Sequence, residues 1–184
     1  MRNIALMGRA RSGKDTIAER LVKEHGYERV AFADPLKEMA LQIDPLIPTM
    51  DGIHVRLRAL VRDTGWEYAK DHYPEVRRLL QYVGQSVRAH SYEDFWRDLA
   101  MRKVSAAIAA DRPVVVTDCR YLNEAQTLSA ARFLMVRVIR PGGVDPRTSS
   151  HESERALAGF LPDSVIRNDG TVADLWERAD VLVR

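Results

Sequence analysis

The sequence predicts an α/β fold in which a parallel five-stranded sheet is flanked by helices, and three observations support this prediction. Short apolar segments alternate with segments whose apolar residues recur at helical spacing, as in strands joined by crossover helices. A glycine-rich loop at residues 8–14 lies between the first apolar segment and the first helical one. The chain has 184 residues, 46% of them hydrophobic, which suffices for one compact domain with its own core.

Five apolar segments have the length and composition of buried parallel strands. In chain order they are Asn3–Met7, Arg29–Ala33, Pro113–Thr117, Phe133–Ile139 and Ser164–Arg167. Helical spacing follows the first strand up to Gly26. A second helix is expected to start at Pro35, with Asp34 as its N-terminal cap. Two further helices are expected at Leu122–Ala131 and Val172–Leu182.

Residues 43–112 predict a helical insertion into this core, because no part of them has the pattern of a buried strand. Prolines interrupt the first part of this stretch. Glu75–Arg88 and Tyr92–Ala110 then have apolar residues at helical spacing. The α/β core is therefore expected to comprise about residues 1–42 and 113–184 within a single domain.

The composition excludes several classes of protein. The 28 Lys and Arg residues against 26 Asp and Glu give a net charge of +2, too small to indicate a nucleic-acid surface. No apolar run approaches the roughly 18 residues of a membrane helix, and no signal peptide is expected. Cys119 is the single cysteine, which excludes an internal disulfide and fits a reducing compartment. We therefore expect a cytoplasmic protein without a stable nucleic-acid or membrane partner.

The glycine loop has the GxxxxGK pattern of a phosphate-binding loop, in which glycines allow backbone N–H groups to surround phosphate oxygens. Lys14 is expected to reach the β- and γ-phosphates, and the N-terminus of the following helix adds partial positive charge. The residues expected to bind the nucleotide here are Gly8, Arg11, Ser12, Gly13, Lys14, Asp15 and Thr16. The alternative is a glycine-rich turn that contains a lysine by chance.

Two carboxylates are candidates for binding Mg²⁺. Asp15 occupies the position at which a phosphate loop usually has the Ser or Thr whose hydroxyl binds magnesium, and Thr16 comes one residue later. Asp15 could bind the ion directly, bind it through water or orient a neighbour. Asp118 follows the third strand, where α/β sheets bind ligands, and could hold magnesium through its water shell. The alternative for Asp118 is the N-terminal cap of the next helix.

Further features favour a small-molecule kinase among proteins with such a loop. The Asn-Lys-x-Asp signature of guanine-nucleotide switches is absent from the sequence, and motors usually need a longer chain. A kinase needs an acceptor site and cations that neutralise the transferring phosphoryl group. The helical insertion could supply the first, and Arg120, Arg140 and Arg147 at loop positions could supply the second.

Six segments occur in the order seen in bacteriophage deoxynucleoside monophosphate kinases, and the chain resembles that family over nearly its whole length. They are GRARSGKDT (residues 8–16), FADPLK (32–37), RRLLQYVG (77–84), DCRYLNEA (118–125), HESE (151–154) and IRNDGTVADL (166–175). The resemblance implies a P-loop kinase fold and Mg²⁺-dependent phosphoryl transfer from ATP to a deoxynucleoside monophosphate, giving the diphosphate. It also implies the cytoplasm of a bacterial host as the location, if the chain is phage-encoded.

The resemblance also implies roles for individual residues. Those implied for the acceptor nucleotide are Phe32 (base or sugar), Asp34 and Lys37 (phosphates), Arg77 or its neighbour Arg78 (acceptor phosphate), Gln81 (base edge), and Asp118, Arg120, Asn123 and Glu124 (positioning of the acceptor). Arg140 and Arg147 bracket a loop rich in Gly and Pro, and are implied to close over the phosphates in a lid at about residues 140–157. The segment Asn168–Thr171, which includes Gly170, is implied to form the backbone cradle of the ATP adenine.

Other interpretations of these residues stay open. Phe32 could be a core residue, and the cations on the helices could be solvated. His151 and Glu154 could belong to an ordinary helix start with Ser150 as its cap. The three tryptophans are expected in the core or in an interface rather than as platforms for a base.

The sequence also leaves other functions open. One alternative is a kinase of another small acceptor, of the dephospho-coenzyme A type, and another is an ATP-binding module without transfer activity. The residues alone do not indicate which bases are accepted or whether deoxyribose is preferred. A homodimer through the insertion helices is compatible with the sequence.

Overall fold

The computed structural model describes residues 1–49, 52–142, 156–157 and 159–184, and these form two compact units. One unit comprises Met1–Phe32 and Ala100–Arg184, and the other comprises Ala33–Leu99. The first unit contains a five-stranded sheet, whereas the second contains helices and one short hairpin. The insertion boundaries at 43 and 112 stay a prediction.

Seven strands and eight helices are present among the described residues. In chain order the strands are β1 (Ile4–Met7), β2 (Glu28–Val30), β3 (Leu46–Pro48), β4 (His54–Arg56), β5 (Val114–Cys119), β6 (Leu134–Ile139) and β7 (Ser164–Arg167). The helices are α1 (Lys14–His25), α2 (Asp34–Ile43), α3 (Leu57–Thr64), α4 (Trp66–His72), α5 (Pro74–His90), α6 (Phe95–Ala109), α7 (Leu122–Ala130) and α8 (Val172–Val181). Within this part of the chain, no helix has both the length and the apolar character needed to span a bilayer.

The sheet of the first unit has the strand order β2–β5–β1–β6–β7, and every neighbouring pair is parallel. This confirms the predicted parallel five-stranded α/β fold. Successive side chains of a strand point to opposite faces of the sheet. In β1, Ala5 and Met7 therefore join the apolar cluster that includes side chains of α6 and α7, whereas Ile4 and Leu6 join the cluster that includes α1 and α8. Helices on both faces explain why β1 and the first three residues of β5 are apolar and fully buried, whereas the outer strands β2 and β7 also contain polar and charged residues.

The topology brings the carboxyl ends of three strands to one edge of the sheet. β1 lies between β5 and β6, and Met7 pairs with Cys119 on one side and with Arg137 on the other. The glycine loop follows β1, and Asp118 lies near the end of β5. Ligands of open α/β sheets bind at this edge, so the predicted nucleotide residues lie where the fold places a binding site.

The second unit has an apolar core of its own, formed by side chains from α2 to α5 and from β3. Ile47, Leu57 and Val76 are fully buried in it. Trp96, at the start of α6, is also buried and donates its indole N–H to the carbonyl oxygen of Gly84 at 3.0 Å. Most of this unit is helical, as expected from the spacing of its apolar residues.

One feature of this part of the chain was not predicted, and one expectation is wrong. An antiparallel hairpin of β3 and β4 occurs where no strand was expected, because strands of three residues are too short to show an alternating pattern. Asp34 is not the cap of α2, since the helix begins at Asp34 and the N–H of Lys37 donates to the carbonyl oxygen of Ala33. Asp34 therefore lies in the first turn, where a carboxylate still interacts favourably with the helix dipole.

Other expectations concern residues outside the described part of the chain. Arg147, the helix start at 150–154 with His151 and Glu154, and most of the lid expected at 140–157 belong to this group. They stay predictions.

Candidate functional site

The glycine loop adopts a backbone that requires glycine at two positions. Gly8 has a φ of 142°, and a side chain there would overlap the carbonyl oxygen of Val138 on β6. Gly13 has a φ of 107°, and a Cβ atom there would lie 2.6 Å from the Nδ2 atom of Asn168. Positive φ values and the close approach of neighbouring chain together exclude a side chain at both positions. The two glycines of the sequence pattern are therefore needed to build the loop.

Lys14, the first residue of α1, is buried, with 5% of its surface exposed. Its ammonium group donates to the carbonyl oxygens of Gly8 at 2.9 Å and Arg9 at 2.6 Å, and lies 3.4 Å from the hydroxyl oxygen of Ser12. Two main-chain carbonyl oxygens therefore help to hold the ammonium group at the loop. Phosphate oxygens are charged and form stronger hydrogen bonds with an ammonium group than carbonyl oxygens do. An anion that enters the loop can therefore take the place of these carbonyl groups.

A cavity of about 380 Å³ opens beside the loop. Its lining combines backbone groups, cations and apolar side chains, which is the mixture that a nucleotide requires. The phosphate loop and α1 contribute Arg11 and Gly13–Thr16, and Arg140 lines the cavity from the end of β6. The segment after β7 contributes Asn168, Gly170, Val172 and Leu175. The structure therefore brings together most of the residues predicted to bind a nucleotide.

Of the residues predicted for ATP, Gly8, Ser12 and Thr171 do not line this cavity, and neither does Asp169 of the predicted cradle, whereas Val172 and Leu175 line it but were not predicted. Gly8 and Ser12 belong to the loop itself, and Thr171 is the N-terminal cap of α8. Val172 and Leu175 were missed because apolar residues at helical spacing indicate only that one helix face is covered. Their position directly after the predicted cradle was the one signal that could have identified them.

Side chains hold the loop between β7 and α8 at both ends. The Thr171 N–H donates to the Asp174 carboxylate at 2.7 Å, and the Asp174 N–H donates to the Thr171 hydroxyl at 3.2 Å. Hydrogen bonds from Thr171, the backbone one first, lower the pKa of Asp174. The Arg178 guanidinium donates to the Asp169 carboxylate at 2.8 Å and to the Arg167 carbonyl oxygen. The backbone of this loop is therefore fixed by the protein alone.

Asp118 lies in β5, one residue before the strand ends. Its Oδ1 atom accepts a hydrogen bond from the Phe32 N–H at 2.7 Å, which ties the chain after β2 to β5. The alternative that Asp118 caps α7 is wrong, because Glu124 satisfies the backbone at that turn. The Oε2 atom of Glu124 accepts from the N–H groups of Arg120 at 2.9 Å and Tyr121 at 3.0 Å.

The other predicted residues of the first unit differ in environment. Glu124 is buried, with 1% of its surface exposed, so its carboxylate orders the turn between β5 and α7. Asn123 accepts from the Glu124 N–H at 2.9 Å, and Arg120 is exposed. Phe32 is buried in the apolar cluster of α6 and α7, as a core residue would be. Burial raises the pKa of the Cys119 thiol well above its ordinary value, which fits a structural role rather than a nucleophile.

In the second unit, the residues predicted for the acceptor lie on α2 and α5. The Nζ atom of Lys37 lies 5.8 Å from the centre of the Trp66 ring. Arg77 and Gln81 are exposed and four residues apart on α5, so they share one face of the helix. Arg77 approaches the carboxylate of Asp71 at 3.4 Å. An exposed cation and an amide therefore stand side by side on this helix.

The oxygen donors near the cavity suit a metal ion that a nucleotide helps to bind. Asp15 and Thr16 line the cavity, and Asp118 lies near the end of β5. The described stretches of the chain contain no group of three or more His, Cys, Asp or Glu side chains that could hold a metal by themselves. Mg²⁺ commonly binds one or two carboxylates together with water and substrate phosphates. The donor set therefore fits Mg²⁺ bound with a nucleotide.

Comparison with known proteins identifies relatives of this chain. A family model described as deoxynucleotide monophosphate kinase matches residues 61–179. The chain is 26% identical over 192 residues to a protein of Acanthamoeba polyphaga mimivirus that carries a provisional name as a deoxynucleotide monophosphate kinase, with 95% of this chain and 92% of that protein covered. It is 30% identical over 111 residues to the deoxynucleotide monophosphate kinase of Escherichia phage RB69, with 59% of this chain and 45% of that protein covered.

A solved structure supports the fold. The chain aligns with the dephospho-CoA kinase from Campylobacter jejuni at a TM-score of 0.51, with 99% of this chain and 95% of that chain covered. The two sequences are 11% identical, so this likeness concerns the arrangement of strands and helices alone.

Proposed function

The chain belongs to the deoxynucleotide monophosphate kinase family, and from this premise we propose how its residues carry out the reaction. The reaction is the ATP-dependent phosphorylation of a deoxynucleoside monophosphate to the diphosphate. The observation that most directly supports a role for particular residues is the buried Lys14, held at a glycine loop beside a cavity of suitable lining.

On the ATP side, the loop holds the β- and γ-phosphates, and the base lies against the segment after β7. Lys14 exchanges its carbonyl partners for phosphate oxygens, and the N-terminus of α1 adds partial positive charge. Val172 and Leu175 give the adenine an apolar surface, while the backbone of Asn168–Thr171 offers polar groups to its edge. The side chains that hold this loop in place mean that little order has to be gained when ATP binds.

On the acceptor side, Arg77 binds the phosphate of the deoxynucleoside monophosphate, and Gln81 contacts its base. Arg77 is favoured over Arg78 because the Arg78 guanidinium already forms two hydrogen bonds of 2.8 Å with the Glu75 carboxylate. The contact of Arg77 with Asp71 is longer and exposed, so a phosphate replaces it at little cost. Lys37 adds a second cation on α2.

The chemistry consists of positioning and charge neutralisation. The attacking phosphate oxygen is already ionised, so no strong general base is required, and Asp34 has at most an orienting role. Arg120 and Arg140 neutralise charge on the transferring phosphoryl group together with Lys14. The backbone near the end of β5 is fixed by the side chains of Asp118, Asn123 and Glu124. Asp118 accepts the Phe32 N–H, and Glu124 accepts the N–H groups of Arg120 and Tyr121.

Asp15 and Asp118 are the residues that would hold Mg²⁺, with the hydroxyl of Thr16 as a further oxygen donor. When bound, the ion neutralises charge on the phosphate oxygens. Asp15 is exposed at the cavity, so its carboxylate reaches a ligand there without rearrangement of the core. The Oδ1 atom of Asp118 accepts the Phe32 N–H, which fixes the orientation of the carboxylate.

The experiment is a measurement of ADP release from Mg-ATP with different acceptors. The panel contains the four deoxynucleoside monophosphates, the four ribonucleoside monophosphates, dephospho-coenzyme A and no acceptor. We expect stimulation by one or more deoxynucleotides and the formation of the corresponding diphosphate. Stimulation by dephospho-coenzyme A alone would contradict the assigned substrate. ATP binding without stimulation by any acceptor would contradict phosphoryl transfer itself.

A further inference from the structure

We propose that Asn168 positions the phosphate loop: its side-chain amide fixes the peptide between Ser12 and Gly13 so that the Gly13 N–H faces the ATP phosphates. The inference rests on the proposed function, because it takes the loop as the site of those phosphates. This role differs from that of the adenine cradle, because the Asn168 side chain acts on the phosphate loop and not on the base. Asn168 is therefore a positioning residue.

The contact that supports this role joins two segments that are far apart in the chain. The Nδ2 atom of Asn168 donates to the carbonyl oxygen of Ser12 at 2.9 Å, across 156 positions of sequence. The backbone of Asn168 is itself fixed, because its N–H donates to the Ile139 carbonyl oxygen at 2.7 Å, at the end of β6. The amide therefore reaches the loop from a residue that is anchored to the sheet.

Because of the geometry of the peptide group, this contact also sets the direction of the Gly13 N–H. In a trans peptide the C=O and N–H bonds point in opposite directions, and no peptide bond of the described residues is cis. A Ser12 carbonyl directed at Asn168 therefore turns the Gly13 N–H away from it. Within the described ranges this N–H donates to no protein acceptor, and Gly13 lines the cavity. It is therefore available to a phosphate oxygen, as the backbone N–H groups of anion-binding loops are.

The space around the Asn168 amide leaves little room for a different side chain. A Cβ atom at Gly13 would lie 2.6 Å from the Nδ2 atom of Asn168 and 3.0 Å from the Cδ2 atom of Leu175. A longer amide at position 168 would have to displace the loop, and a carboxylate would place a charged oxygen against the Ser12 carbonyl. A short side-chain donor is therefore what the position requires.

The test compares three probes that contain different parts of ATP. The affinities of inorganic tripolyphosphate, adenosine and ATP are measured by calorimetry for the wild-type protein and for Asn168→Ala. Asn3→Ala is the matched control, because the Asn3 side chain also bonds a backbone group, accepting from the Val114 N–H at 2.9 Å, but before β1. Thermal unfolding of each variant is followed in parallel, and Asn168→Leu, which has a similar size but no donor, is measured in the same way if Asn168→Ala does not fold.

We expect Asn168→Ala to weaken tripolyphosphate and ATP about five- to tenfold, the effect of one lost hydrogen bond, and to leave adenosine unchanged. The KM for ATP should rise while the KM for the deoxynucleotide stays the same, and Asn3→Ala should alter none of these values. An equal loss for adenosine, or unchanged binding of tripolyphosphate, would overturn the positioning role. Failure of the wild-type protein to bind ATP would instead overturn the proposed function.

Discussion

Replacement of Asp180 by Asn should weaken the link between the helix that follows the phosphate loop and the C-terminal helix. Asp180, on α8, accepts two hydrogen bonds from the Arg20 guanidinium, at 3.0 and 2.9 Å. It accepts a third from the ring of His25 at 2.8 Å, and both partners lie on α1. These hydrogen bonds, that of Arg20 first, lower the pKa of Asp180 from 3.8 to about 2.

The pKa shift of Asp180 sets the size of the loss of stability expected for Asp180→Asn. One pKa unit corresponds to about 1.4 kcal/mol, so the folded state favours the ionised carboxylate by roughly 2.5 kcal/mol at most. Because the Asp180 side chain is 30% exposed, screening by solvent reduces this to about 1–1.5 kcal/mol. The pKa is lower in the folded state than in the unfolded one. The stabilisation is therefore complete above about pH 5 and is lost as the pH falls toward 2.

The assay is urea unfolding of the wild-type protein and Asp180→Asn at pH 7 and pH 3. We expect the free energies of unfolding to differ by about 1 kcal/mol at pH 7 and by about half as much at pH 3. Asp63→Asn is the control: the Arg62 guanidinium also lowers the pKa of Asp63, but this exposed pair joins adjacent residues. The free energy of unfolding of Asp63→Asn should equal that of the wild-type protein. Equal stability of Asp180→Asn and the wild-type protein at pH 7, or a difference of the same size at pH 3, would refute the reasoning.

Three further substitutions test the site. Lys14→Met should lower turnover by about a hundredfold or more with an unchanged circular dichroism spectrum, and near-normal turnover would contradict the phosphate-loop assignment. Arg77→Ala should raise the KM for the monophosphate far more than that for ATP, and more than the control Arg78→Ala does; equal shifts of both KM values would argue against an acceptor role. Gly13→Ala should cost more stability in urea than Gly26→Ala, since both glycines have positive φ but a Cβ atom meets neighbours only at Gly13. Equal losses would show that the contact with Asn168 is easily relieved.

Much of the first unit could be predicted because its signals are local. The central strands β1 and β5 are buried on both faces by helices, so their sequences contain apolar runs that are visible without knowledge of their neighbours. The hairpin of β3 and β4 gave no such signal, since three residues per strand are too few to show a period of two. Asp34 was misplaced by one position because Asp is favourable both as a cap and in the first turn of a helix.

The environment of individual site residues was less predictable. Glu124 was expected to position the acceptor, but the sequence gave no indication that its carboxylate is buried and accepts the N–H groups of Arg120 and Tyr121. Val172 and Leu175 line the cavity, although their spacing indicates only a covered helix face. The type of a residue does not indicate which groups its side chain contacts, because those groups belong to elements from elsewhere in the chain.

The sequence by itself determined the phosphate loop and the alternation of strands and helices. Both depend on short segments of sequence. Lys14 forms hydrogen bonds with the backbone of its own loop, and each apolar run indicates the burial of its own strand. Only the tertiary structure decided that Asn168 meets Ser12 and that Asp118 meets the Phe32 N–H, across 156 and 86 positions of sequence. Strand order brings these residues together, because hydrogen bonds between parallel strands carry distant segments to one edge of the sheet. No periodicity within either segment encodes which partner it will find there.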